Sequence, residues 1–475
     1  MKTVFVSGLF NVLHPGHIRL LRFAKECGSR LIVGVQSDLL AGKTALVPEN
    51  LRLESLKSIS WVDEGFIFNE PIAHLIERLK PDIVVKGKEH EKKINPELSA
   101  LDKYGGSLIF SSGEMIFSSI DLIQKEFQVA NSNSIKLPNK YMQRHQIMPQ
   151  DLIALLEKFT QLKICVVGDL IIDEYITCES LGMSQEDPTI VVTPIDSTRF
   201  VGGAGIVALH AAGLGATVNF FSVTGNDTLR DYASEILSEK LNEVHLFVDH
   251  SRPTTLKQRY RSKGKSLLRV SHLHQGAISI DLQSKFLKEL NRVMSGCNLL
   301  VFSDFNYGCL PQTLVDEIIV IAKNHGLILV ADSQSSSQTG DISRFKDMDL
   351  ITPTEREARI SSHNREDGLV ILAEQLRLVA NAKNILLKLG EEGLLIHWSD
   401  LKNNTWLTDR ISALNNSPKD VSGAGDSLLI VSAMTLACGG TIWEAACLGS
   451  LAAAIQVSRV GNTPLEKAEL IRELN

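Results

Sequence analysis

The 475-residue sequence lacks any ordered cysteine pattern. Its seven cysteines, Cys27, Cys165, Cys178, Cys297, Cys309, Cys438 and Cys447, are odd in number, scattered and never spaced as CxxC. Neither a disulfide framework nor a zinc site is indicated, and reduced thiols in the cytoplasm are expected. No apolar run approaches the ~20 residues that a membrane-spanning helix needs, so no membrane is expected as a partner. Positive charge is not in excess: 49 Lys and Arg stand against 55 Asp and Glu, a net charge of −6. That balance speaks against nucleic acid as a partner, while phosphorylated small molecules need only local sites. The opening MKTVFVSG lacks the apolar core and cleavage site of a signal peptide and reads as a strand leading into a motif.

What is present points to two α/β domains. The length exceeds one ordinary hydrophobic core, and 44% hydrophobic with 22% charged residues fits globular protein. Both halves alternate short β-branched runs with helical patterns, the signature of parallel sheets covered by helices. Strand candidates in the first half are Thr3–Ser7, Leu31–Val35, Gly65–Phe68, Ile83–Lys86 and Leu108–Phe110. Residues 129–150 are rich in Asn, Ser, Pro and Gln without periodicity and read as a linker. The domains are expected over 1–128 and 151–475, the second opening with a helix, Asp151–Phe159, and a strand, Lys163–Gly168. Further strands are expected near Ile190–Pro194, Val218–Thr224, Leu299–Ser303, Leu327–Asp332, Leu350–Thr352 and Ile385–Lys388.

The segment VFVSGLFNVLHPGHIRLLRFAKECG places a strand, a tight turn and a helix in succession. His14 and His17 lie three apart where the helix begins, so both rings can face one space together with the backbone N–H groups of the helix start. Two such histidines suit charge building on an α-phosphate as pyrophosphate departs, and Gly16 between them permits close backbone approach. Two surface histidines beside a helix cap are the alternative. Near the other end, KDVSGAGDSLLIVSAM carries Gly423, Ala424, Gly425 and Asp426 at the start of an apolar helix. Exposed N–H groups there face a transferring γ-phosphoryl, and Asp426 can take the proton of an attacking hydroxyl. GDLIIDEY places Asp169 and Asp173 just after a strand, in reach of sugar hydroxyls.

Residues 1–127 resemble the cytidylyltransferase-like nucleotidyltransferases, through Gly8, Phe10, His14, Gly16 and His17. The resemblance implies that the two histidines bind the triphosphate and that Arg52, Lys86 (in KPDIVVKGKEH, with Asp82), Ser118 and Ser119 (in IFSSIDLI) lie near nucleotide or phosphate. Lys43 is a loop lysine over the triphosphate or a solvated one. Asn11 stands where the family usually has Asp.

Residues 151–475 resemble the ribokinase-like (PfkB) carbohydrate kinases, through the GAGD segment, the paired-glycine turn Gly202–Gly203 in FVGGAGIVALHAAG, and LKLGEEG with Lys388 and Gly390 on the nucleotide side. The resemblance implies Asp426 as base, Gly423 and Gly425 as an anion hole, Asp173 and Gly203 at the sugar, and Glu357 organising magnesium. Ile206, Thr354, Tyr307 and Gln334 depart from that pattern where the substrate should lie. Arg259, Arg261 and Arg269 are compensating cations in a basic lid over Lys257–Arg269, or a solvated hairpin face. Together the halves resemble the bifunctional heptose-7-phosphate kinase/heptose-1-phosphate adenylyltransferase family, with the domain order reversed. The expected substrates are a sugar or sugar phosphate and a nucleoside triphosphate, with ATP as phosphoryl donor, ATP or CTP as nucleotidyl donor and Mg2+ at both sites. A homodimer through the kinase domain is expected from the same resemblance. Two other readings stay open: a kinase of a different sugar or nucleoside beside an active transferase, and a non-catalytic sugar-nucleotide-binding domain.

Overall fold

Val4, Phe5 and Val6 are wholly buried, and the alternation of a strand sends Phe5 to one face of its sheet and its neighbours to the other. A strand apolar on both faces belongs in a parallel sheet covered by helices. In the computed structural model it is β1 (Thr3–Gly8), paired in parallel with β2 (Arg30–Gln36) and β4 (Ile83–Gly87). With β3 (Glu64–Phe68) and β5 (Ser107–Ser111) the order is β3-β2-β1-β4-β5, all pairings parallel. Chain direction across the sheet reverses between β1 and β4, which opens a crevice at their carboxyl ends. The structure describes residues 2–13, 15–87, 90, 95–111, 135–184, 186–262, 265–335, 340–400 and 405–475, without the side chains at 15, 16, 19, 43, 111 and 400.

Two units emerge, Met1–Asn133 and Ser134–Asn475. The second is built on β6 (Lys163–Gly168), whose Ile164 and Val166 face one core while Cys165 and Val167 face another. Its other strands are β7 (Leu170–Met183), β8 (Ile190–Gly203), β9 (Thr217–Thr224), β10 (Glu243–Val248), β11 (Thr255–Ser262), β12 (Lys265–His272), β13 (Leu299–Asp304), β14 (Ile328–Ser333), β15 (Leu350–Ile351), β16 (Asn384–Lys388), β17 (Leu394–Asp400) and β18 (Thr405–Ile411). The main sheet runs β10-β9-β6-β13-β14-β15-β16-β17-β18. Pairing is parallel as far as β16 and antiparallel beyond it. Helices cover both faces, giving three layers. No helix among the described residues is long and apolar enough to cross a membrane.

A separate sheet, β12-β11-β7-β8, rises from the end of β6. It was only partly foreseen, because most of β8 is exposed and carries no apolar alternation. The hairpin β11–β12 is antiparallel, and β11 also pairs in parallel with β7. Residues 135–150, which read as linker, belong to the second unit instead. Pro138 precedes a short helix, Asn139–Arg144, whose Tyr141 and Met142 are buried in the same core as β6. Tyr141 Oη donates to the Trp443 carbonyl at 2.9 Å, and the His145 ring stacks on Trp443 at 4.1 Å. Those few apolar anchors outweigh the polar composition around them.

Candidate active sites

The first site forms where β1 ends. Phe10 turns the chain in a left-handed conformation, φ 52°, that is uncommon for a residue with a side chain. Its ring drops into the core, and its neighbour across the turn is His17, ring to ring at 5.0 Å, edge-on. His17 lies in the first turn of the helix Pro15–Glu26, where Pro15 occupies the first helical position. With its Nδ1 proton given to the Val12 carbonyl at 3.1 Å, the basic nitrogen of His17 is Nε2. Phe10 therefore helps to set the position of the histidine ring. His14, Ser118, Ser119 and the Lys43 side chain lie outside the described residues.

Asn11 departs from the family pattern for a visible reason. It is buried, donates from Nδ2 to the Thr44 carbonyl at 2.8 Å and accepts at Oδ1 from the Leu46 N–H at 2.9 Å. The amide thus pins the turn that carries Lys43. An aspartate would set a carboxylate oxygen against the Thr44 carbonyl, losing a hydrogen bond and adding repulsion, ~1–2 kcal/mol together. Asn11→Asp is expected to raise the KM for nucleoside triphosphate about tenfold, checked by steady-state pyrophosphate release.

Three expectations at this site change. Arg52 is fully enclosed in the helix Glu49–Lys57. Its guanidinium donates to the Val47, Leu9 and Gln36 carbonyls at 2.7, 2.7 and 2.9 Å and to Asp38. It braces the backbone under the site, and its donors are spent there rather than on a nucleotide. Lys86 ends β4 as expected, yet its Nζ pairs with buried Glu97 at 2.8 Å. Asp82 sits at the opposite end of the sheet, accepting from the Thr3 N–H at 2.6 Å.

The second site gathers around the helix Ala424–Ala437. Asp426 lies in its first turn, where backbone N–H groups lack acceptors inside the helix. Gln334 Nε2 donates to Asp426 Oδ1 at 2.8 Å, which leaves Oδ2 to take a proton. Burial first, then Asp332 and Asp173, push the Asp426 carboxyl up to about 7, against the pull of Lys388 and Lys257. Lys388, from the end of β16, holds both oxygens of Asp332 at 3.0 and 2.9 Å. Burial works against its charge, but Asp332 and Glu357 outweigh that and hold its ammonium above the usual range. A Cβ at Gly425 would stand 3.3 Å from Lys388 Nζ, so this position must stay small to keep a cation against the helix start. Beside them opens a cavity of about 950 Å³, whose lining includes Thr354, Arg356, Arg359, Arg365, Lys388 and Gly390.

The residues expected at the sugar are brought together by strand register. Asp173 on β7 stands opposite Lys257 on β11, and Tyr175 opposite Arg259. Strand periodicity then puts Lys257, Arg259 and Arg261 on the face that bears Asp173 and Tyr175. Arg259 and Arg261 cover the Tyr175 ring at 5.3 and 5.2 Å. Lys257 lies over Phe305 and Tyr307 at 4.8 and 5.2 Å. Tyr307 is thus an aromatic floor under a cation supplied by another strand. Arg259 reaches Asp173 Oδ1 at 3.7 Å. A Cβ at Gly202 would fall 2.3 Å from Asp173 Oδ2, so only glycine lets this carboxylate close on the turn. Gly203 follows with φ 58°.

Asp169 does something other than expected. It is buried and accepts from the Phe305, Tyr307 and Cys309 N–H groups at 2.8, 3.3 and 3.3 Å. It fixes the loop after β13 and has little left for a sugar. Burial and neighbouring Asp304 push its carboxyl up to about 6. Glu357 accepts from the Ser335 N–H at 2.8 Å and from the Thr354 N–H at 2.7 Å, closing a capping box with Thr354. Thr354 is therefore a helix cap, and each Glu357 oxygen already accepts one backbone N–H. Among the described residues no three His, Cys, Asp or Glu side chains group as a metal site. Ile206 is wholly buried in the core. Two residues were not foreseen in their roles: Gln334, against Asp426, and Asn462, whose Nδ2 donates to Asp173 Oδ2 at 2.9 Å. Asn462 lies 289 residues from its partner, a separation that no local motif reveals.

Comparison with known proteins agrees with this geometry. Residues 161–468 match the family model for pfkB family carbohydrate kinases, and residues 5–151 match the cytidylyltransferase-like model. The bifunctional protein HldE of Desulfatibacillum aliphaticivorans is 32% identical over 324 residues, 66% of this chain and 64% of that protein. HldE of Geotalea uraniireducens is 27% identical over 329 residues, 68% and 65% respectively. The chain thus spans just under two thirds of the length of these curated relatives. Phosphofructokinase-2 from Escherichia coli shares the fold with a TM-score of 0.54 at 15% identity, covering 66% of this chain and 98% of that one. Ribokinase from Thermotoga maritima does so with a TM-score of 0.51 at 22% identity, covering 66% and 99%. With well over half of its length matched by the family model, the chain belongs to the pfkB family of carbohydrate kinases.

Proposed function

We propose that the chain is a bifunctional enzyme of nucleotide-sugar synthesis, phosphorylating a heptose-like sugar phosphate with ATP and transferring a nucleotidyl group to a sugar 1-phosphate. The observation that carries the kinase half is Asp426, buried at a helix start with one oxygen held by Gln334 and Lys388 close by. In the reaction, Asp426 takes the proton of the attacking hydroxyl as the new O–P bond forms and ADP leaves. The first-turn N–H groups and Lys388 face the charge that develops on the transferring phosphoryl. Lys257, Arg259 and Arg261 favour a sugar that already carries an anion. In the transferase half, His17, with His14, meets the α-phosphate as the sugar phosphate oxygen attacks and pyrophosphate leaves.

Magnesium bound to each triphosphate would neutralise its charge, and Glu357 would help to organise it. The relatives named bifunctional HldE support pairing these two activities, with the transferase preceding the kinase in this chain. A homodimer is proposed through the β7–β8 hairpin, where Leu181, Met183, Ile190 and Ile195 expose apolar area that a second copy would cover. Light scattering should give twice the chain mass, and a monomeric mass at micromolar concentration contradicts this arrangement. Product mass spectrometry with ATP, CTP and a panel of sugars, sugar 1-phosphates and sugar 7-phosphates tests the function. A sugar bisphosphate and a nucleotide sugar are expected, and an unchanged panel would overturn the proposal.

A further inference from the structure

Among the buried acceptors of the second unit that have no hydrogen-bond donor among the described residues, two belong to side chains bonded to each other, Asn462 and Asp173. Asn462 is 7% exposed, and its Nδ2 is committed to Asp173 Oδ2 at 2.9 Å. That bond fixes the amide orientation, so Oδ1 points away from the carboxylate, and Oδ1 is an orphan. Asp173, 5% exposed, has its other oxygen beyond ordinary hydrogen-bond distance of any described donor, with the Arg259 guanidinium at 3.7 Å facing it.

The position of Asn462 is defined from two sides. A Cβ on Gly202, in the paired-glycine turn, would lie 3.1 Å from Asn462 Nδ2, and a Cβ on Gly423, before the helix of Asp426, would lie 2.7 Å from Asn462 Oδ1. Both glycines are needed for the amide to fit. Asn462 therefore stands between the carboxylate that faces the substrate and the helix start that faces the transferring phosphoryl. Buried acceptors are normally satisfied, and two adjacent ones left open call for a ligand that brings donors. The hydroxyls of a polyol supply such donors.

We infer that Asn462 is a specificity-determining residue of the kinase, its Oδ1 accepting from one sugar hydroxyl while Asp173 Oδ1 accepts from the adjacent one. The inference rests on the proposed kinase function and deepens it.

The test uses the full chain and a panel of the accepted sugar with each hydroxyl replaced singly by hydrogen. Kinetics and calorimetric sugar binding are compared for wild type and Asn462→Leu. In the variant the sugar KM should rise at least about tenfold, the equivalent of one lost hydrogen bond to substrate, with the ATP KM within about twofold. One deoxy sugar should lose about tenfold on wild type and nothing further on the variant. If Asn462→Leu does not fold, Asn462→Ser carries the same comparison. Equal losses on every deoxy sugar in both proteins, or an unchanged sugar KM, would overturn the inference. So would potassium or sodium binding that is lost in the variant while sugar affinity is kept, since the orphan oxygens would then hold a cation. If wild type binds no sugar of the panel, the kinase reading itself fails and the inference falls with it; binding by wild type and variant alike removes the inference alone.

Discussion

Asp426→Asn is expected to lower kinase kcat by about 10²–10⁴-fold, the usual contribution of a positioned general base, with sugar and ATP affinities changed little. Asparagine keeps the shape and the oxygen that accepts from Gln334 Nε2, so the loss falls on the proton transfer. The pH profile gives a second signature. The carboxyl is pushed up to about 7 by burial, Asp332 and Asp173, and it must be ionised to accept a proton. Kinase kcat/KM should therefore climb through pH 7 and fall about tenfold per unit below it, and this limb should vanish in the variant. Stability moves the other way. A folded-state pKa above the ordinary 3.8 means that the protonated form is favoured on folding. That stabilisation is complete below pH 4 and is lost as pH rises through about 7. Asp426→Asn should accordingly melt higher than wild type at pH 8, where it removes a buried charge. A variant that retains wild-type phosphoryl transfer would show that Asp426 is not the base.

His17→Ala is expected to lower nucleotidyl transfer about 10²–10³-fold, the range seen when one donor to a developing oxyanion is removed. Pyrophosphate exchange measures it directly. Folding should suffer little, because the ring makes an edge contact with Phe10 and one bond to the Val12 carbonyl near the surface. Phe10→Ala should behave differently. That ring is buried in the core, so its removal costs stability as well as His17 orientation. Full exchange activity in His17→Ala would remove the assignment.

The residues that were legible in the sequence are those whose chemistry is local. GAGD places small residues and a carboxylate at a helix start within four positions, and the structure has them there. The strand–turn–helix of β1 was equally plain, since β-branched residues give way at once to a Pro-Gly helix start. Buried polar residues were harder. Asp169 and Arg52 have the right charges in the right segments, but backbone groups distant in sequence consume them. Residue type does not reveal whether a charge is already satisfied. Gln334 and Asn462 were opaque for the reverse reason, because each gains its role from a partner 92 or 289 residues away. The sheet of β7, β8, β11 and β12 was partly hidden because its exposed stretches lack the alternation that a half-buried strand carries. Once built, its register explains why the basic stretch faces Asp173.

The division of two reactions between two separate sets of residues is what the proposed function requires of this chain. A paired assay of Asp426→Asn and His17→Ala tests it most directly. Each full-length variant is given ATP with a sugar phosphate in one reaction, and a nucleoside triphosphate with a sugar 1-phosphate in the other. Asp426→Asn is expected to lose only the sugar bisphosphate, and His17→Ala only the nucleotide sugar. Loss of both products in either variant, or of neither in both, would contradict it.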